Sequence, residues 1–244
     1  MTEEQLTIRL LGGVSLTKGE RPITTLPTRK AEALLIYLVS HKRPFAREVL
    51  AELLWDDRPQ DQALANLRSI LSSLRRALKP YLLITRQTVG FNHDSNYWLD
   101  TAAFLHEIGD WRLEIGQSPD LAAAGPHLQS LINAAALYQG AFLQGFYLRE
   151  SRGFEEWATL ERERLQRQAI LALRQLADAY QAAGQPELAL LAVDRLLGLD
   201  PLSELAHQQK MLLLARSGQA QAALAHFQAC AALLDAELGV APAP

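Results

Sequence analysis

Between Gln62 and Lys79 the chain reads QALANLRSILSSLRRALK, with Leu64, Leu67, Leu71, Leu74 and Leu78 at steps of three and four. That spacing puts the five leucines on one face of a helix, and such a face has to be buried. At about 100° per residue the opposite side carries Gln62, Asn66, Ser69, Ser73 and Arg76, with Ala65 and Ser72 beside them. No acid occurs between Gln62 and Lys79, whereas an ordinary solvated helix pairs Glu with Lys three or four residues apart. Two readings fit this face. It is either the polar outer side of a bundle helix, or a surface of amide, hydroxyl and guanidinium groups suited to phosphates and base edges.

Charge separates the two readings. The net charge of −3 conceals an uneven distribution: residues 1–98 sum to +4 and the remainder to −7. Such asymmetry points to different partners for the two halves. From Arg58 to Arg86 the cations Arg58, Arg68, Arg75, Arg76, Lys79 and Arg86 stand against Asp61 alone, a local +5. This concentration favours nucleic acid.

The 244 residues suit one large or two ordinary domains, and 49% hydrophobic content is enough to build cores. A single cysteine, Cys230, excludes an internal disulfide and a thiolate zinc site, and fits a reducing cytoplasm. No run approaches the length of a membrane span, and MTEEQLTIRL is not a signal segment. Neither GxSxG, GxxxxGK[ST] nor HExxH occurs, so an enzyme is not expected, and neither is a cofactor or a metal.

In the first hundred residues, Leu6, Ile8 and Leu10 alternate with polar neighbours, Gly12 and Gly13 make a turn, and Val14 and Leu16 resume the pattern. A further turn at Lys18 to Glu20 leads to a strand through Ile23 to Leu26, giving a small antiparallel sheet. Thr28 is positioned to cap a helix carrying Ala31, Leu34, Leu35, Leu38 and Val39. A second helix, Arg47 to Trp55, turns Val49, Leu50, Leu53 and Leu54 inward, with Trp55 as a core anchor. After the polar-faced helix, Leu82 to Arg86 and Thr88 to Asn92 form β-prone runs around Gln87, followed by Tyr97, Trp98 and Leu99. Three helices and then a hairpin is the layout of a winged helix.

Beyond Leu99 the chain becomes helical, with helices near Thr101 to Ile115, up to Tyr138, from Phe154 to Ala183, and three more to Leu238. Pro119 and the Gly125-Pro126 pair punctuate the early part. Gly184-Gln185 recurs as Gly218-Gln219, 34 residues on, and Ala189, Val193 and Leu196 stay in step with Ala223, Phe227 and Cys230. That is the period of tetratricopeptide units, and a stack of them offers a concave face to a partner. Cys230 fills a core slot of the repeat. Glu155, Glu156, Glu161, Arg162, Glu163, Arg164 and Arg167 read as a solvated face, a docking surface being the other reading.

The stretches LPTRKAEALLIYL, REVLAELLW, ALANLRSILSSLRRAL and LLITRQTVGF, in this order, resemble the winged-helix domain of SARP-type bacterial transcriptional activators over residues 6–99. ALYQGAFLQGF, FEEWATLERERL and LLDAELGVAP resemble the bacterial transcriptional activator domain that follows it in that family. One departure is Ala46, where relatives place Ser or Thr before Arg-Glu, which removes an N-cap worth roughly 1 kcal/mol. The resemblance implies a helix in the major groove, RNA polymerase as a partner, a homodimer on repeated sites, and a chain that is part of a longer regulator. The fold expected is an α+β winged helix over 1–99 followed by an all-α tetratricopeptide-like helical domain over 100–244.

The function expected is sequence-specific binding of double-stranded DNA in the cytoplasm, with no membrane partner. Base contacts are assigned to Asn66, Ser69, Ser73 and Arg76, and phosphate contacts to Arg29, Lys30, Arg58, Arg68, Arg75, Lys79, Arg86 and Thr88. The competing reading is a protein-interaction scaffold whose winged helix does not bind DNA.

Overall fold

The computed structural model describes residues 4–23, 26, 28–115 and 124–242, with residues 110–115 and 124–127 described by their backbone alone. The expected punctuation at Pro119 lies outside the described residues. The chain divides into two compact units, Met1–Ala102 with Gly140–Arg164, and Ala103–Gln139 with Leu165–Pro244.

In the first unit, alternation of buried and open residues produces β1 (Leu6–Arg9) and β2 (Ser15–Lys18), paired antiparallel with Ile8 opposite Leu16. The third strand, β3, is Arg21–Pro22, earlier than expected, and Ile23 N–H donates to Leu16 O at 2.8 Å. Helix α1 (Arg29–Val39) starts as expected, because Thr28 Oγ1 accepts from Ala31 N–H at 3.2 Å. A two-residue strand β4 (Phe45–Ala46) leads into α2 (Arg47–Leu54), which buries Leu50, Ala51 and Leu54. Val49 points outward and is 48% exposed, contrary to its expected place, because the buried stripe passes through Ala51 instead. Trp55 is buried, with the Lys30 ammonium 5.1 Å from its ring centre.

The opening helix of the sequence reading is α3 (Gln60–Leu78), followed by a 3-10 turn at Lys79–Tyr81. Strands β5 (Leu82–Ile84) and β6 (Thr88–Phe91) form the expected hairpin, and β4 adds to β6 with Ala46 opposite Thr88. The last strand, β7 (Tyr97–Leu99), returns parallel to β1, so the first sheet runs β3-β2-β1-β7 and is mixed, not purely antiparallel.

From the later part of the chain, Gly140–Arg164 completes this unit. Leu143 N–H donates to Leu10 O at 2.9 Å, and Gly12 N–H to Ala141 O at 3.1 Å. The backbones approach so closely that a Cβ at Gly140 would lie 2.9 Å from the Gly12 Cα. Trp157 then packs on Tyr37, Phe142 and Phe154 with ring centres 4.9, 5.8 and 5.3 Å away.

The second unit contains most of α4 (Asp100–Ile115), α5 (Ala124–Leu137), the later part of α6 (Arg152–Ala182), α7 (Pro186–Leu199), α8 (Glu204–Arg216) and α9 (Ala220–Leu238). Gly125 and Pro126 lie in the first turn of α5. Orphan carbonyls at helix ends find side chains: Arg195 Nη2 donates to Ala135 O at 2.8 Å, and Gln166 Nε2 to Leu199 O at 2.9 Å. The 34-residue period repeats atom for atom at the turns. Gly184 and Gly218 have φ of +70° and +76°, and Gln185 N–H to Tyr180 O matches Gln219 N–H to Leu214 O, both 2.9 Å. Leu196 and Cys230 are both buried, but Phe227 is 45% exposed where its counterpart Val193 is buried.

Candidate nucleic-acid interface

Helix α3 buries Ala63, Leu67, Ile70, Leu71, Leu74 and Leu78. Leu64, expected in this stripe, is half-buried, and Ala63 and Ile70 hold the remainder of the contact. Directly opposite, Ala65, Ser69, Ser72 and Arg76 are exposed, while Asn66 and Ser73 are half-buried on one flank. Ser73 Oγ sits 3.4 Å from Ser69 O, one turn back. The last turn carries Arg75 and Arg76, which suit the negative end of the helix dipole.

The other flank of α3 faces the hairpin. Arg68, Ser72 and Arg75 share a cavity of about 220 Å³ with Leu71, Ile84 and Arg47. A neighbouring cavity of about 460 Å³ is lined by Arg47, Arg75, Ile84, Thr85 and Arg86. The two adjoining cavities make a slot in which each half is lined by three arginines and no carboxylate, Arg47 and Arg75 being common to both. The turn that closes it is held by its own threonines, since Thr85 Oγ1 accepts from Thr88 N–H at 2.8 Å and lies 2.9 Å from Thr88 Oγ1. Thr88 thus shapes the turn.

Arg47, which the sequence does not single out, lines both cavities. It opens α2 after an Ala46 that makes no side-chain cap, and its N–H donates instead to Gln87 O at 3.1 Å. Nothing in the local pattern marks it, because its place beside α3 follows from pairing with a turn forty residues away in the chain.

Three of the expected phosphate contacts are placed elsewhere. Lys30 Nζ donates to Leu54 O at 2.6 Å and Glu150 O at 3.0 Å, and burial holds its pKa below the ordinary lysine value against the pull of Asp57, Glu150 and Asp56. Arg29 Nη1 donates to Tyr147 O at 3.3 Å. Arg58 pairs with Asp57 at 3.1 Å and Glu150 at 3.5 Å. Lys79 is exposed just past the end of α3. In the acidic and basic run of α6, Arg152 with Glu156 and Arg164 with Glu161 form the surface pairs expected of a solvated face. Glu155 and Arg162 instead hold the preceding loop, through Leu148 N–H at 2.6 Å and Phe142 O at 3.0 Å.

Among the described residues no group of three or more His, Cys, Asp or Glu side chains could hold a metal ion. No helix among them is long and apolar enough to cross a membrane. The family described as Bacterial transcriptional activator domain matches residues 100–244. The chain belongs to that family. The bacterial transcriptional activator domain family is one of transcriptional regulators, not of enzymes. The chain is 27% identical to Regulatory protein AfsR of Streptomyces coelicolor over 93% of its own length and 22% of that protein. It is 24% identical to Transcriptional regulatory protein EmbR of Mycobacterium tuberculosis over 99% of its length and 61% of that protein. It therefore spans less than two thirds of either relative. The solved structure of Mycobacterium tuberculosis EmbR in complex with a low affinity phosphopeptide superposes with a TM-score of 0.75, at 24% identity, over 99% of this chain and 63% of that one. Within the matched region, Gly140–Arg164 belongs to the compact unit that carries α3.

Proposed function

We propose that the chain is a sequence-specific DNA-binding transcription regulator, an activator by its family, in which the three helices and the β5-β6 hairpin act as a winged helix. The observation that carries this reading is the outer face and hairpin flank of α3: exposed Ser69, Ser72 and Arg76, and an arginine-lined slot without a carboxylate. Such a surface pays little desolvation against a polyanion, and its cations release counterions on contact. Arg76, Ser69, Asn66 and Ser73 are the base readers in this proposal, and Arg68, Arg75, Arg86 and Lys79 the phosphate contacts. The helices of the second unit, with their tetratricopeptide-like period, serve to contact RNA polymerase or a second copy of the chain on repeated sites.

Fluorescence anisotropy against mixed-sequence duplex DNA at two salt concentrations tests the proposal. Binding that weakens steeply with salt supports it. Absence of binding at low salt favours the scaffold reading. Selection of bound sequences from random duplexes then tests specificity, and a direct repeat among them supports the homodimer.

A further inference from the structure

Arg47 is held by the hairpin at both ends. Its backbone N–H donates to Gln87 O at 3.1 Å, and its Nη2 to Thr85 O at 2.7 Å. The Nε–H between them is buried and has no partner. A buried donor left unmet is uncommon in a folded protein and calls for a reason. The same guanidinium lines both cavities of the slot, beside Arg68 and Arg75 in one and Arg75 and Arg86 in the other. Three like charges around each space repel one another when it holds only water, and an anion with several acceptor oxygens reverses the sign of that interaction.

We infer that Arg47 is itself a phosphate contact: the slot between α3 and the turn at residues 85–88 seats one backbone phosphodiester of duplex DNA among Arg47, Arg68, Arg75 and Arg86. The planar guanidinium suits this double duty, because one edge stays on Thr85 O while its remaining N–H groups turn to the phosphate. A lysine has a single ammonium and cannot serve both. The inference rests on the DNA-binding reading above. The bland alternative is that Arg47 braces the hairpin and never meets the ligand.

The test measures the slope of log affinity against log salt for the full chain on a mixed-sequence duplex. Arg47→Gln is expected to lower the slope by about 0.9, the share of one phosphate contact. Arg47→Lys is expected to keep the wild-type slope while binding several-fold more weakly. Arg47→Met, which keeps the aliphatic stem, replaces the Gln variant if that one fails to fold. A neutral variant with reduced affinity and an unchanged slope overturns the inference and leaves Arg47 a brace. A fall of two or more, to which Arg86→Gln adds nothing, assigns the effect to a displaced hairpin and overturns it as well. Wild-type protein without salt-dependent binding overturns the DNA reading itself, and the inference with it.

Discussion

Asp100 Oδ2 accepts the backbone N–H of Leu10 at 2.7 Å, and the same oxygen takes Leu11 N–H at 2.9 Å. One carboxylate thus closes the end of the strand that carries β1 and begins α4, where its Oδ1 accepts Thr101 N–H at 2.8 Å. Burial pushes the Asp100 carboxyl above the ordinary aspartate range, opposed by those three N–H groups and by Arg9. Asp100→Ala strands three buried donors and is expected to cost about 2 to 4 kcal/mol. Asp100→Asn keeps an acceptor without the charge and is expected to lose clearly less. Urea unfolding of the two variants decides the order, and equal losses would show that the bonds matter less than the packing.

Phe154 is completely buried against Phe146 and Trp157, with ring centres 6.2 and 5.3 Å away. Phe154→Ala is expected to destabilise the first unit by about 3 to 5 kcal/mol. Denaturant unfolding measures the loss, and Trp157 fluorescence reports it locally. An effect under about 1 kcal/mol would mean that Gly140–Arg164 is dispensable to the unit that carries α3.

On DNA, Arg76→Ala is expected to lose about 1 to 3 kcal/mol on the selected site and far less on random duplex, because a guanine edge takes a bidentate guanidinium. Lys79→Ala should weaken both duplexes alike and flatten the salt dependence. Competition titrations separate the two, and equal losses for Arg76→Ala would remove it from the base readers.

His207 Nδ1 and His226 Nε2 lie 2.9 Å apart, and His207 Nε2 lies 2.8 Å from Pro201 O. With Nε2–H donating to that carbonyl, the Nδ1 of His207 faces the Nε2–H of His226 as its acceptor. Burial, Lys210 and His207 hold the His226 pKa below its ordinary 6.5, and Asp194 opposes them. The unfolded chain therefore binds a proton near pH 6.5 that the folded chain refuses. This contribution to stability is present above that pH and is lost as pH falls through the depressed folded value. Urea midpoints of the second unit are expected to drop between pH 7.5 and 5.5 in the wild type and to drop less in His226→Gln. Parallel pH dependences would remove His226 as the cause.

Much of the fold was legible because the signals are local. Thr28 caps α1 as read, the leucine spacing marks α3, and the recurrence of Gly-Gln marks turns that repeat in their φ angles and hydrogen bonds. The candidate site was legible in part. Arg68 and Arg75 line one cavity and Arg75 and Arg86 the next, whereas Arg29, Lys30 and Arg58 carry the same charge in sequence and are taken up by carbonyls and carboxylates of residues 147–150 and by Asp57. Charge can be counted along a chain; its partners cannot.

The order of residues alone determined where the helices and the β5-β6 hairpin form and which half carries the positive charge, because backbone propensity and side-chain period act over a few neighbours; the short strands β3 and β4 depend on the partners they pair with. Only the tertiary structure decided that β7 returns parallel to β1, that Gly140–Arg164 completes the unit built by the first hundred residues, and that Arg47 meets the turn beyond Ile84. Those outcomes depend on hydrogen-bond donors and acceptors finding each other across long chain separations, which closing the core settles and no local window contains.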